Sequence, residues 1–595
     1  MANDIRTRDQ IDPRYLWDLS HIFPSDEAWE AALTKLTDDT KRCADWNGRV
    51  AENPKQAIRD VFALDELSEM VFCYAYLRKE TDNADEHAQA LLAKVSAMGV
   101  EQRTLLSFLE PELNELPDET LTALMNDPEM ADYSEFLRGL LRMKAHSLPK
   151  EQERLMSMMG EVTSVAGNVF NMLTDVDMKF PDVIMPDGTA RPLTEGTYSA
   201  FIRNPDRSVR KQAFEGIMST YGKMGSTIAA TYGGRVKTDV FLARARNYSS
   251  ARAAKMEPLE IPEAVYDNLI EVVHENLPTM NEYLSLRREK LGLDELHMYD
   301  LHTPLVTDFD MTLPYDKAFD LVLEGLQPMG ADYVAKLREA RDGGWIDVYP
   351  SKNKSSGAFS MGSMTNVHPY VLLNHNDNLA DTFTIAHELG HAMHSFYSNQ
   401  AQPLPKADYS LFVAEVASTC NEAVMMRHLL NTLTDRKARA YLLNHRLEQF
   451  RTTCFRQTMF AEFERISHEM AETNQPLTRT ALTDVYYKLN QLYYGGACEV
   501  DELIGVEWMR IPHFYRSFYV YVYATGLCAA MSLSARILSE GESAVRDYRK
   551  FLSAGSSVPP IEALKLAGID MSSPEPLRRA MEVFKETLAE FKTVI

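Results

Sequence analysis

His387-Glu388-Leu389-Gly390-His391 sets two imidazoles four residues apart, with a carboxylate next to the first. Residues four apart on a helix share a face, so both rings can bind one metal ion. Neutral imidazole suits Zn²⁺, and Glu388, one position round, can reach a metal-bound water without ligating the ion. Two histidines need at least one further protein ligand. Glu415, in LFVAEVASTCNEA, offers a carboxylate about a hairpin's length downstream. Two histidines and one carboxylate leave a fourth tetrahedral position for water, the pattern of hydrolytic rather than structural zinc. Glu422 follows Glu415 by two helical turns on the same face and is expected to accept a hydrogen bond from a ligand imidazole. His394 lies near the face of His387 and is expected to be a core histidine.

An HExxH match arises by chance in a chain with 15 histidines in roughly a few per cent of cases, so its setting decides. That setting is helical. Asn378 followed by Asp381 reads as an N-cap with an acid in the first turn, and Leu379, Phe383, Ala386, Leu389 and Met393 recur at helical spacing. Pro403 and Pro405 interrupt the chain, so a second helix bearing Glu415 can fold back beside the first. Upstream, Ser355 to Asn376 contains no Asp, Glu, Lys or Arg. It reads as a Gly/Ser loop, SSGAFSMG, in which Gly357 allows close backbone approach. The loop feeds a strand, and Pro369 to Asn374 is expected to be an edge strand beside the motif helix, where an extended peptide could pair.

The rest of the chain reads as mainly α, with a small β-sheet beside the HExxH helix. Ile11 to Phe23 is expected to be an extended arm packed on the body. Asp26 to Pro149 alternates helix-length segments with polar breaks. Pro149 to Thr174 runs amphipathic, with its Met and Phe residues expected in the core. Met178 to Leu193 reads as a β-hairpin turning at Asp187-Gly188. Helical spacing resumes from Thr194 to Lys290, Tyr299 to Thr312 suggests a strand or ordered loop, and beyond Asn378 the chain is mainly helical. Two regions are expected, an N-terminal helical one (1–195) and a catalytic one (196–595).

Hydrophobic residues make up 45% and charged residues 25%, which excludes wholesale disorder. The formal charge of −24 disfavours nucleic acid and anionic membrane as partners, while leaving room for an acidic cleft that attracts cationic peptides. Six cysteines without a CxxC pair exclude a disulfide scaffold and a zinc ribbon. The polar start MANDIRTRDQ lacks an apolar signal core, so a cytoplasmic location is expected. Ser517 to Ala535 is long and apolar enough for a membrane span, yet its tyrosines and serines point to a buried helix.

HELGHAMHS with FVAEVASTCNE resembles the thimet oligopeptidase family of zinc metallopeptidases, in its oligoendopeptidase F branch. RYLWDLSHIFPSDEAWE, SKNKSSGAFS and WMRIPHFYRSFYVYVYATG extend the resemblance over most of the chain. It implies a two-lobed helical body enclosing a deep channel, one Zn²⁺ per chain on His387, His391 and Glu415, and Glu388 as general base. It implies oligopeptide substrates cut at internal bonds, and donors to the developing oxyanion from His513, Tyr519 and Tyr521. If that segment is one continuous helix, Tyr515, Tyr519 and Tyr523 share a face and Tyr521 points elsewhere. Two other readings stay open: a chaperone-like protein with structural zinc, and an enzyme trimming peptides from the C-terminus. Co²⁺ or Mn²⁺ would suit the same ligands.

Overall fold

A computed structural model describes residues 6–307, 309 and 311–595. The chain is mainly helical, with one two-stranded and one three-stranded sheet among the described residues. It divides into two units, each assembled from separated segments. The first comprises Met1–Ala145, Asp310–Thr432 and Ala530–Asp570; the second comprises His146–Phe309, Leu433–Ala529 and Met571–Ile595.

In the first unit, helices Asp26–Cys43, Asp65–Thr81 and Glu86–Leu106 pack together, and the N-terminal arm is sealed into their core. The arm is a series of 3₁₀ turns rather than an extended strand. Asp12 and Asp18 each accept a hydrogen bond from a backbone N–H two residues on, which favours turns over extension. Its Trp17, Ile22 and Phe23 are buried with Trp29, Tyr370 and Leu372. The Tyr370 hydroxyl donates to the Asp18 carbonyl at 2.8 Å, tying the arm to the sheet.

That sheet corrects one expectation. Ile346–Asp347 pairs parallel with Tyr370–Leu372, which pairs antiparallel with Phe359–Met361. Tyr370–Leu372 is therefore the central strand and Phe359–Met361 an edge. All three residues of the central strand are buried, as a strand covered on both faces should be.

In the second unit, Val183–Ile184 and Ala190–Arg191 form the expected hairpin, with Gly188 at φ 81° in its turn. Met298–Asp300 is a 3₁₀ turn whose buried Asp300 pairs with Arg207 and Arg210. Asp308 and Asp310, within the stretch read as strand or loop, lie outside the described residues. Helix Lys150–Asn171 and the π-helical turn Met172–Asp177 after it depart from expectation: Phe170 is buried, but Met158 and Met172 are exposed. Helix Tyr521–Glu540 is apolar and long enough to cross a membrane, and 72% of its most apolar window is buried within the protein, as in a core helix.

Candidate metal centre

Helix Leu379–Ala401 starts where the sequence places it. The Asn378 side chain accepts from the Asp381 N–H at 2.8 Å, and the Asp381 carboxylate accepts in return from the Asn376 N–H and the Asn378 amide. This fixes the helix phase. Ile385, Ala386, Leu389 and Met393 face the core, while His387 and His391 open towards a cavity, their rings 4.9 Å apart.

Helix Leu411–Thr432 packs along it and brings Glu415 to the two rings. The closeness of that packing depends on Gly390. A Cβ there would fall 2.4 Å from the Ser418 Cα and 2.8 Å from the Ala417 carbonyl oxygen, so the two backbones touch. Asn421 clamps the crossing: its amide donates to the Ala386 carbonyl at 3.0 Å, and its oxygen accepts from the Tyr333 hydroxyl at 2.9 Å. Neither Gly390 nor Asn421 stood out in the sequence. The available signal was the set of small residues, Gly390 on one helix and Ala417-Ser418 on the other.

Glu415 Oε2 lies 3.4 Å from His387 Nε2 and 3.5 Å from His391 Nε2. The three ligand atoms lie within 4.8 Å of one another, a group that could hold a metal ion. Tetrahedral ligands at Zn–N and Zn–O lengths of about 2.0–2.1 Å stand about 3.4 Å apart, so the donor set fits zinc in type and spacing. The Ser418 hydroxyl donates to Glu415 Oε2 at 3.1 Å and orients the carboxylate. Glu422 Oε1 meets His387 Nδ1 at 2.5 Å, which leaves Nε2 of that ring for the ion. His394 is buried and stacks on Tyr409 at 3.6 Å, away from the group, as a core histidine.

Burial alone would depress the His387 imidazole, but hydrogen bonds to Glu415 and Glu422 outweigh it and push its pKa up to about 10. Hydrogen bonds from His387 and His391 hold the Glu415 carboxyl well below the usual carboxylate range against its burial. Glu388 is only 7% exposed, and burial pushes its carboxyl up, in the direction a general base requires.

His387, Glu388, His391 and Glu415 line a cavity of about 1270 Å³ within the first unit. Edge strand Phe359–Met361 forms part of its wall, as do Asp65, Glu69 and Arg103. Burial raises the Asp65 carboxyl to about 6. Gly362 carries the strand close to the motif helix, since a Cβ there would fall 2.4 Å from that of Ser395.

His513, Tyr519 and Tyr521 lie in the second unit. The segment is not one helix: Pro512–Tyr515 is a 3₁₀ turn, Phe518 sits at φ 57°, and the helix begins at Tyr521. Tyr515 is therefore drawn aside to stack on Phe170 and bond Thr231. His513 and Tyr519 both contact Tyr523, with ring centroids 6.1 and 5.3 Å away. Tyr521 is 2% exposed and packs on Tyr266 at 5.0 Å.

The Peptidase family M3 model matches residues 200–583, and the Oligopeptidase F model matches residues 112–180. The chain belongs to peptidase family M3. Within it, the M3 chain falls in the oligoendopeptidase F branch. It is 40% identical to oligopeptidase PepF of Bacillus subtilis over 100% of this chain and 89% of that protein. It is 37% identical to the group B oligopeptidase PepB of Streptococcus agalactiae, over 99% and 98% of the two chains. The crystal structure of oligoendopeptidase-F from Enterococcus faecium superposes with a TM-score of 0.74 at 34% identity, covering 96% of this chain and 99% of that one. The protein is a peptidase, and membership of M3 implies a metal cofactor.

Two expected outcomes follow from this geometry. Glu422→Gln lowers zinc affinity roughly 10- to 100-fold, read by competition with a zinc-binding dye. Gly390→Ala forces the two helix backbones apart at the cost of about 1–3 kcal/mol, read by denaturant unfolding, and weakens metal binding in the same samples.

Proposed function

We propose that the protein is a zinc-dependent endopeptidase that hydrolyses internal bonds of short, unstructured oligopeptides in the cytoplasm. The observation that carries this reading is the convergence of His387 Nε2, His391 Nε2 and Glu415 Oε2 beside buried Glu388 on one large cavity. Bound by those three side chains, Zn²⁺ would supply Lewis acidity, making a water a better nucleophile and the scissile carbonyl a better electrophile. Glu388 takes a proton from the attacking water on its carboxylate and passes it to the leaving amine. Its raised pKa suits both halves of that transfer. Glu422 holds His387 in the tautomer and orientation that present Nε2.

The free edge of Phe359–Met361 gives a peptide backbone a place to pair as an added strand, which confers affinity with little sequence preference. The family resemblance assigns His513, Tyr519 and Tyr521 to the developing oxyanion. Of these, Tyr521 is packed as a core residue and Tyr519 is half-buried. The six cysteines are free thiols, which supports the cytoplasmic setting.

Arg103 in the cavity lining favours a second reading, release of short C-terminal fragments, because a guanidinium can hold a terminal carboxylate. Internally quenched peptides with both ends blocked separate the two. Cleavage that is lost on chelation and restored by zinc supports the endopeptidase. Cleavage confined to peptides with a free C-terminus supports the second reading.

A further inference from the structure

The helix face that carries the imidazoles continues past them. His387, His391, Ser395 and Asn399 follow at four-residue steps and share that face of helix Leu379–Ala401. Beyond His391 the stripe meets the chain leaving edge strand Phe359–Met361. Gly362 lies so close to Ser395 that a Cβ would fall 2.4 Å from the serine's own. One turn on, the Asn399 amide donates to the Gly362 carbonyl at 2.8 Å and to the Met364 carbonyl at 2.9 Å. Of the two ends of an asparagine amide, the NH₂ alone can serve two carbonyls, so its orientation is fixed and both protons are used.

The other end of the strand is held in the same way. The Asn374 amide donates to the Ser355 and Gly357 carbonyls at 2.9 and 2.8 Å. The Asn376 amide donates in turn to the Asn374 carbonyl at 2.7 Å and to the Asp381 carboxylate at 3.2 Å, in the first turn of the motif helix. The edge is thus tied to that helix near Asp381 and again at Asn399, and between these ties it runs beside the turns that bear His387 and His391. All of these residues belong to the first unit. The four clamped carbonyls lie outside the three residues that pair with Tyr370–Leu372. What the clamps fix is therefore the position of the strand along the helix, not its place in the sheet.

That position matters where a peptide pairs with the free edge, the proposed binding mode on which this inference rests. Successive residues of a paired peptide stand about 3.3 Å apart, so the register decides which bond meets the ion. Ser395 is four residues from His391, about 6 Å along the axis, so the Gly362 contact lies within about two peptide residues of the chemistry. A misplacement of about 1 Å can cost about 10²-fold in rate. We propose that Asn399 is a positioning residue that selects the bond to be cut, by fixing the edge strand along the helix of His387 and His391.

Product analysis by mass spectrometry, with kinetics on one peptide that the native chain cleaves, tests it. Asn399→Ala is expected to lower kcat/KM at the native site about 10- to 100-fold and to raise the share of cuts one or two residues away. Zinc affinity and thermal unfolding should stay near native, because no ligand is touched. Asn399→Asp keeps the shape without the donors and is expected to redistribute the products in the same way, which preserves the test should the alanine variant fold poorly. Variants that cut the same bond at the native rate overturn the inference and leave edge pairing standing. A uniform loss of activity with the cleavage position unchanged makes Asn399 a support of the fold and also overturns it. N-methylation of the peptide backbone, one residue at a time, separates the two levels: if no position lowers kcat/KM of the native chain, peptides do not pair with the edge and both fall.

Discussion

Glu388→Gln is expected to lower kcat by roughly 10²–10⁴-fold, the range contributed by a positioned general base. The replacement keeps the side chain's shape and removes only its capacity to take a proton. Because Glu388 is buried and already resists ionisation, a neutral amide there costs the fold little. Zinc content, thermal unfolding and KM should therefore stay near those of the native protein while turnover collapses. Near-native turnover in zinc-loaded Glu388→Gln would assign the proton transfer to another group.

Glu415→Ala is expected to have a different signature. It removes the oxygen lying 3.4–3.5 Å from both ring nitrogens and leaves two histidines without a third ligand. Zinc affinity should fall well beyond the ~10–100-fold expected when only an outer partner such as Glu422 is lost. The pair can be ranked in one experiment. Raising free zinc should restore activity to Glu422→Gln at concentrations that leave Glu415→Ala inactive. Equal zinc affinity in Glu415→Ala and the native chain would remove Glu415 from the ligand set.

The grouping of His387, His391 and Glu415, which could hold a metal ion, was legible in the sequence because much of its geometry is local. Four-residue spacing fixes His387 and His391 on one face, the Asn378–Asp381 cap fixes where that helix starts, and two turns relate Glu415 to Glu422. What lay between the helices was not legible. The contact at Gly390 exists only once Ala417 and Ser418 are brought against it, and no local pattern reports that distance. Strand order was lost for the same reason: Tyr370–Leu372 becomes central through pairing with Ile346–Asp347, more than twenty residues away. Helical spacing from Pro149 to Thr174 shows that the segment is amphipathic but not which face meets the body, so spacing alone placed Met158 and Met172 in the core. The break at Pro512 and Phe518 depends on a left-handed backbone at a phenylalanine, a conformation that residue type does not announce.

Anomalous diffraction at the zinc edge, from crystals of the zinc-loaded protein, most directly tests whether these residues share one ion. One strong peak is expected, about 2.0–2.2 Å from His387 Nε2, His391 Nε2 and a Glu415 oxygen. A peak ligated by other residues, or a Glu415 carboxylate turned out of reach of the histidine-bound ion, would contradict it.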